Sequence, residues 1–566
     1  MCMRRNKIIT FLLLYFYTTS TCVSAQTLPG SADPSRFDER FNIVAPENDE
    51  TIVAPEMLII DETIPKAQQT GFVLKDVTIS GVTVFNKSDM NVIIDEYIGR
   101  EVDFTVLNHL TSRITNFYRQ NGYFLSKAVI PAQTISDGNV RIHVIEGHVS
   151  QVIIESNEPK IKKSRLIAET VARLEKDQAL HGPTLERHIL LLNEGAGVSM
   201  QSVLAPASDQ TRPGQVDIIL KPERKKPWGA LSYNNHGSKF VGPHQLIASY
   251  GIGGILNPFD SLIVQGTTSL PLQEVQYGAL SYAVPINASG LTSTTSFSYS
   301  NSDPGYTLAP LEVESDSYTF ETGLSYPIVR SRKENLKIGV DFSLRNNATE
   351  FLDEELIDDK TRTIKLNASY DVKDDEGHVT AATIGFHKGL EIFGSSENGA
   401  PTLSRAQGRV DYFKAEMTAA RLQRLSSYFD FLGQVNAQYA PHPLLSVAEF
   451  GYGGATMGRA YDPSEITGDS GVSASAEIRF HRKDVKENVI HTTPFVFYDI
   501  GKVWNHDRGE KPISASSTGV GTYFQFYDIP VSGSLQAALP LTKDVDNPIM
   551  GGVDGPRVLF EINVSF

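Results

Sequence analysis

The spacing of hydrophobic positions changes along this chain, and each change marks a part. Between residues 72 and 80 apolar and polar residues alternate, with Val73, Val77 and Ile79 apolar, which predicts a strand. Ser88 is placed to cap a helix running to about Tyr97. Val106, Leu107, Leu110, Ile114, Phe117 and Tyr118 then recur at helical spacing, and Asn121-Gly122 ends that helix. Residues 125–131 and 140–146 read as a strand pair turning at Asp137-Gly138-Asn139. The same order returns as a strand at 149–155, helices at 164–175 and 183–192, and strands at 199–205 and 215–220. Pro183 suits a first helical turn. Two small α+β domains are therefore expected, at 71–147 and 148–222. Lys221-Pro222-Glu223-Arg224-Lys225-Lys226-Pro227 follows as a short basic hinge, either solvated or lying against a membrane surface.

From Trp228 onward hardly any helical period survives. Strand-like stretches end in polar or glycine turns, as at 277–285, or at 323–328, which crosses the charged turn 330–335 into 336–341. A membrane strand needs about ten residues. At roughly twenty-one residues per strand with its share of loop, residues 223–566 hold about sixteen strands. The last segment alternates most cleanly. Val558, Phe560, Ile562, Val564 and Phe566 are apolar, while Arg557, Glu561, Asn563 and Ser565 between them are polar. One face suits lipid and the other a wet lumen; the alternative is the edge of a soluble sandwich. The expected fold is an all-β transmembrane barrel of about sixteen antiparallel strands behind two α+β domains.

Composition fits that picture. Residues 1–25 have a basic start, a short apolar core at 8–17 and the small-residue end Val23-Ser24-Ala25, which is the pattern of a signal peptide cut after Ala25. The apolar core is too short for a membrane anchor. Both cysteines, Cys2 and Cys22, fall in this segment, so the rest of the chain relies on no disulfide. Residues 26–70 are rich in proline and acid and read as a linker; a short helix near 34–41 or plain disorder are both open. The formal net charge of −15 argues against nucleic-acid binding, which wants a basic face. Phe (28) and Tyr (22) are plentiful and Trp (2) is scarce, a bias that suits aromatic girdles around a barrel.

Catalytic constellations do not stand out. The thirteen histidines are scattered without metal-ligand spacing. Gly451-Tyr452-Gly453-Gly454 lacks the Gly-Lys-Ser/Thr ending of a phosphate loop, and Gly468-Asp469-Ser470-Gly471 lacks nucleophile-elbow spacing. The chain is read as a non-enzyme with no cofactor and no metal.

One run remains. From Leu444 the chain passes through Glu449-Phe450-Gly451-Tyr452-Gly453-Gly454 to Gly458-Arg459-Ala460-Tyr461, a strand end opening into a glycine-rich loop with one arginine. About forty residues later, Val496-Phe497-Tyr498-Asp499-Ile500-Gly501 places Phe497 and Asp499 on one strand face and Val496, Tyr498 and Ile500 on the other. Together these runs resemble the signature of TpsB-type two-partner secretion transporters of the outer membrane, the ShlB/FhaC/HecB family that exports hemolysins and adhesins. Asn121-Gly122-Tyr123-Phe124 and the repeated element order look like POTRA (polypeptide-transport-associated) domains. The resemblance covers nearly the whole chain after the signal peptide.

The resemblance implies a loop tucked into the barrel, with Arg459 paired to Asp499 on the wall by a charge-assisted fork. It implies a helix near residue 34 that plugs the pore, and an outer-membrane location with the POTRA domains in the periplasm. Its partners would be outer-membrane lipid, a large TpsA-like exoprotein (a hemolysin or adhesin), and insertion machinery that reads the terminal Phe566. Gly458-Arg459-Ala460-Tyr461 stands where the family usually has Val-Arg-Gly-Tyr, and alanine tolerates positive φ less well than glycine. Two other functions compete: a barrel-assembly protein of the same superfamily, which usually carries more or differently spaced POTRA domains, and a passive solute porin, which needs none.

Overall fold

The computed structural model describes residues 28–41, 71–176, 179–208, 213–270, 272, 274–481, 489–506, 511–549 and 555–566. The expected signal peptide at 1–25 and linker residues 42–70 lie outside the described residues.

In the first domain, Asn139–Ile145 forms the middle of a three-stranded sheet. It runs parallel to Asp76–Ser80 and antiparallel to Lys127–Val129. Phe72–Val73 leaves the expected first strand and pairs instead with Glu101–Val102. The helices Lys87–Ile94 and Phe104–Gln120 bury Met90, Leu107 and Ile114 against Val140 and Ile142. Asn86, not Ser88, caps the first helix, because the Asp89 carboxylate accepts the Asn86 N–H at 3.1 Å and completes a capping box.

The second domain repeats the topology. Gln215–Arg224 lies between a parallel His148–Ile154 and an antiparallel Val198–Pro206. The helices Arg165–Lys176 and Gly182–Asn193 cover one face of that sheet, with Ile167, Leu174, Ile189 and Leu192 in the core. The basic run expected to be a hinge at 221–227 is strand as far as Arg224. Lys221 and Arg224 pair with Glu155 and Glu158 at 3.3 and 2.7 Å, and Arg224 still stands opposite Val198 in the ladder. The boundary expected at 222/223 therefore falls inside a strand, and the barrel begins at Trp228.

Among the described residues, sixteen strands, from Trp228–Asn234 to Arg557–Ser565, close into one barrel in chain order, each antiparallel to its neighbours. Closure gives every strand two partners, which a sheet in hydrocarbon requires. No helix is long and apolar enough to cross a membrane among these residues. Alternation does the sorting. In Ile490–Trp504, Val496, Tyr498 and Ile500 are 51, 45 and 46% exposed outward, while Phe497 and Asp499 are 4 and 0% exposed inward.

Residues 28–41 lie inside the barrel. The 3₁₀ turn Pro34–Arg36 runs into the helix Phe37–Arg40, with Asp33 capping the turn through Ser35. Phe37 and Phe41 pack on Val275 and Tyr277 of the wall and on Phe240 of the loop between Trp228–Asn234 and His244–Gly253. Asp38 accepts hydrogen bonds from Ser298 and Thr319 at 2.6 and 2.7 Å and pairs with Arg345 at 2.9 Å. Arg36 reaches the carbonyl of Ser446 at 2.5 Å and the carboxylate of Glu449 at 3.4 Å.

Candidate functional site

The strands Phe429–Tyr439 and Ser470–Phe480 are neighbours in the barrel, and the long segment joining them folds inward. Its stem is a short hairpin, Phe450–Tyr452 with Ile466–Gly468. At its base the Asp469 carboxylate accepts the N–H groups of Leu444 and His506 at 2.7 and 2.8 Å. The Arg405 guanidinium pairs with both Asp469 and Glu449, the latter at 3.0 Å. Three outer segments and the 28–41 helix, through Arg36 and Glu449, are thus tied at one buried place.

The tip carries Gly458, Arg459, Ala460 and Tyr461, all buried. Their hold on the wall differs from the expected fork. The Asp499 carboxylate accepts the backbone N–H groups of both Gly458 and Arg459 at 3.1 Å, and the Ser475 hydroxyl at 2.7 Å. The guanidinium approaches Asp499 only to 3.6 Å. It pairs instead with Glu477 on Ser470–Phe480 at 2.8 Å, and lies 4.0 Å over the Phe497 ring. Asp499 therefore fixes the loop backbone, and Glu477 fixes the side chain. Glu477 also accepts from Arg479 at 2.8 Å and from the Tyr523 hydroxyl at 3.3 Å, so a cation–anion chain runs along the inner wall.

The glycine departure has a structural answer. The positive φ of this turn, +73°, falls on Gly458, and Ala460 is not among the residues with positive φ. Gly458 takes the strained conformation one place before the arginine, so alanine is accommodated one place after it. The Tyr461 hydroxyl donates to the carbonyls of Ser516 and Lys543 at 3.1 and 2.8 Å, pinning the descending arm.

The motif pointed to Arg459 and Asp499, and the structure brings both to one wall. Glu477 was not singled out. Its signal is the inward row Ser473, Ser475, Glu477, Arg479, in which two adjacent charges share the lumen face two residues apart. Among the described residues no group of three His, Cys, Asp or Glu side chains is placed to hold a metal ion. The lumen beside the loop keeps a cavity of about 640 Å³, lined by Glu321, Asp341, Lys365, His387, Lys414 and Glu416 among others.

A closed outer-membrane barrel, with POTRA-type domains before it and a loop folded into its lumen, defines a protein-translocating pore of two-partner secretion. The chain belongs to the haemolysin secretion/activation protein ShlB/FhaC/HecB family, which it matches over residues 214–523, and residues 72–147 match the ShlB-type POTRA domain. It is 23% identical over 501 residues to the heme/hemopexin transporter protein HuxB of Haemophilus influenzae, covering 83% of this chain and 84% of that one. The outer membrane transporter CdiB of Escherichia coli strain 536 is 22% identical over 501 residues, covering 85 and 81%. In fold the chain is similar to solved CdiB from Escherichia coli, with TM-score 0.71, 20% identity, and 91 and 94% of the two chains covered. It is also similar to BamA from Haemophilus ducreyi lacking POTRA domains 1–3, with TM-score 0.51, 15% identity, and 88 and 100% covered. The protein is an outer-membrane pore with its POTRA domains in the periplasm.

Proposed function

We propose that this pore exports one large TpsA-like exoprotein, captured unfolded by the POTRA domains and passed through the lumen once the 28–41 segment and the inward loop yield. The observation that carries this reading is how the lumen is filled. Both occupants are held by side-chain hydrogen bonds and ion pairs, the 28–41 segment to the wall at Asp38 and to the inward loop at Arg36, and the loop to the wall at Arg459 and Asp499, so both are removable without breaking the barrel ladder. A solute porin has no use for such contacts, and a barrel-assembly protein needs no emptied lumen. Arg459, Glu477 and Asp499 set the depth of the loop, and the chain acts without catalysis.

Capture by strand addition needs an open sheet edge. At the Val198–Pro206 edge, Asn193 holds both the N–H and the carbonyl of Met200, at 2.6 and 2.9 Å, and so closes it there. At the His148–Ile154 edge one side chain intervenes among the described residues: the Glu175 carboxylate accepts the Val152 N–H at 3.0 Å. That edge is the one an extended cargo segment joins, displacing Glu175.

Deleting the gene in its own bacterium should remove one large polypeptide from the culture medium, and complementation should restore it. Val152→Pro removes the edge donor while leaving the inner ladder intact, and should lower export roughly threefold to tenfold, the worth of one main-chain hydrogen bond. An unchanged medium with depleted outer-membrane barrels would favour the assembly reading. An unchanged medium with impaired solute uptake would favour the porin.

A further inference from the structure

The core of the second periplasmic domain is not made from that domain alone. Its buried cluster of Ile167, Leu174, Leu192, Ile218 and their neighbours includes Phe259 and Ala288, which are 1 and 2% exposed. Phe259 sits in the turn between the barrel strands His244–Gly253 and Ser261–Leu270, and Ala288 in the turn between Val275–Pro285 and Thr292–Ser302. Polar contacts frame both insertions. Glu169 accepts the Ala288 N–H at 3.1 Å, and Arg187 donates to the carbonyls of Ser289 and Ile328 at 3.2 and 3.3 Å. Arg330 pairs with Glu194 at 2.7 Å, and the Arg332 N–H reaches Glu186 at 3.0 Å. The approach is too close for sliding. A Cβ on Gly195 would lie 2.1 Å from the Phe259 carbonyl oxygen. Between the domain and the inner rim a crevice of about 240 Å³ remains, lined by Leu166 and Leu191 on one side and by Thr294, Ser325 and Lys337 of the lumen wall on the other.

We propose that the second periplasmic domain is a fixed extension of the barrel: Phe259 and Ala288 are positioning residues that complete its core and hold its sheet at the lumen entrance, and export proceeds with this seam closed. Two side chains with no place to go but another domain's core are a different arrangement from a polar interface between hinged domains. Such interfaces are the default, and they permit motion. A seam through a packed core opens only if that core is disrupted. The export half of this inference rests on the transport reading above; the packing half does not.

Hydrogen exchange on the full-length protein in detergent tests the packing half. Phe259→Ala should speed exchange in Val198–Pro206 and Gln215–Arg224 by at least about tenfold, because a large buried side chain is lost. Asn139–Ile145 of the first domain should be unaffected, heat-modifiable mobility should show the barrel intact, and Phe259→Leu should restore most of the protection. Unchanged exchange in the second domain would overturn the shared core.

The export half uses a lock. Glu194→Cys with Arg330→Cys, in a chain whose natural cysteines are Cys2 and Cys22 alone, can be joined by a reducible bis-maleimide. The linked protein should release the exoprotein identified by gene deletion at half or more of the unlinked amount. Export that stops on linking and returns on reduction would overturn a seam closed during transport. An unlinked chain that releases nothing would count against the transport reading, and exchange would still decide the seam.

Discussion

Arg459 is placed where a charge is expensive unless it is answered. It is 3% exposed, with Glu477 at 2.8 Å and Asp499 at 3.6 Å. Removing it leaves two buried carboxylates facing each other's field, a larger penalty than the loss of one ion pair. We expect Arg459→Ala to cut export at least about tenfold at unchanged barrel abundance, because a loop without its anchor samples many depths and obstructs the path instead of yielding as a unit, with Arg459→Lys rescuing only in part, since a point charge cannot reach Glu477, Ser475 and the Phe497 face together. Asp499→Ala should do similar damage by another route, freeing the two backbone amides it holds. Because both changes release the same loop, the double variant should be little worse than either single one. Export near wild type in both single variants, measured in the medium against immunoblotted outer membranes, would make Arg459 a packed loop residue without a role in transport. The two motif residues were legible because their neighbours are unusual: glycines around the one, strict alternation around the other. Their bonding was not legible. Whether a carboxylate takes a guanidinium or a pair of amides depends on where the Gly458 turn points the backbone, and Glu477 is marked only by sharing the lumen face with Arg479 two residues on, a pattern that names no partner.

Elements were readable where their own period was long enough, and misread where a partner far along the chain decides. Phe104–Gln120 carries a full apolar stripe and ends at Asn121-Gly122 as expected. The strand Gln215–Arg224 outruns its apolar part because Glu155 and Glu158 neutralise its basic end. The end of Asn139–Ile145 shows the same dependence on distant residues. Just beyond it Glu146 accepts the N–H groups of Thr83 and Val84 at 2.9 and 3.1 Å, and the Tyr118 hydroxyl at 2.8 Å. Burial pushes this carboxyl up, but the hydrogen bonds from Thr83, Tyr118 and Val84 outweigh it and hold it below the usual carboxylate range. A depressed folded pKa stabilises above the unfolded value and is lost as pH falls through the folded one. The first domain should therefore be steady from neutral pH down to about 4.5 and weaken below it, with Glu146→Gln giving a lower but flatter profile. The urea midpoint of residues 71–147 in the full chain, followed by pulsed hydrogen exchange between pH 3 and 7, checks this. A wild-type midpoint that does not fall below about pH 4.5 would remove Glu146 from the account.

The whole molecule is a pore with a segment of its own chain lying in the lumen, and whether that segment blocks the pore can be read electrically. A barrel of sixteen strands is wide enough for an aqueous lumen. The strand count followed from length and alternation, since each membrane crossing takes a fixed stretch of chain. What fills the lumen was legible only through the family resemblance: the sequence at 33–41 is short and without a period, so residue pattern left helix and disorder both open, and the helix Phe37–Arg40 exists because the surrounding residues supply partners. Those partners are divided. Asp38 is bound to Ser298, Thr319 and Arg345 on the early wall, and Arg36 to Ser446 and Glu449 on the inward loop. The segment is thus held between a rigid surface and a removable one. Purified protein in planar bilayers should conduct ions in brief, small openings while both holds are intact. Asp38→Ala removes the segment's ion pair to Arg345 and its hydrogen bonds from Ser298 and Thr319, and should lengthen openings. Arg36→Ala should do the same and also release the loop from Glu449, so its conductance levels should be more varied. Removing residues 26–70 should give the largest steady conductance, because no stopper is left to return. A folded barrel that stays electrically silent after that removal would mean that the inward loop alone closes the pore, and that Arg36 and Asp38 serve only to seat the chain's entry.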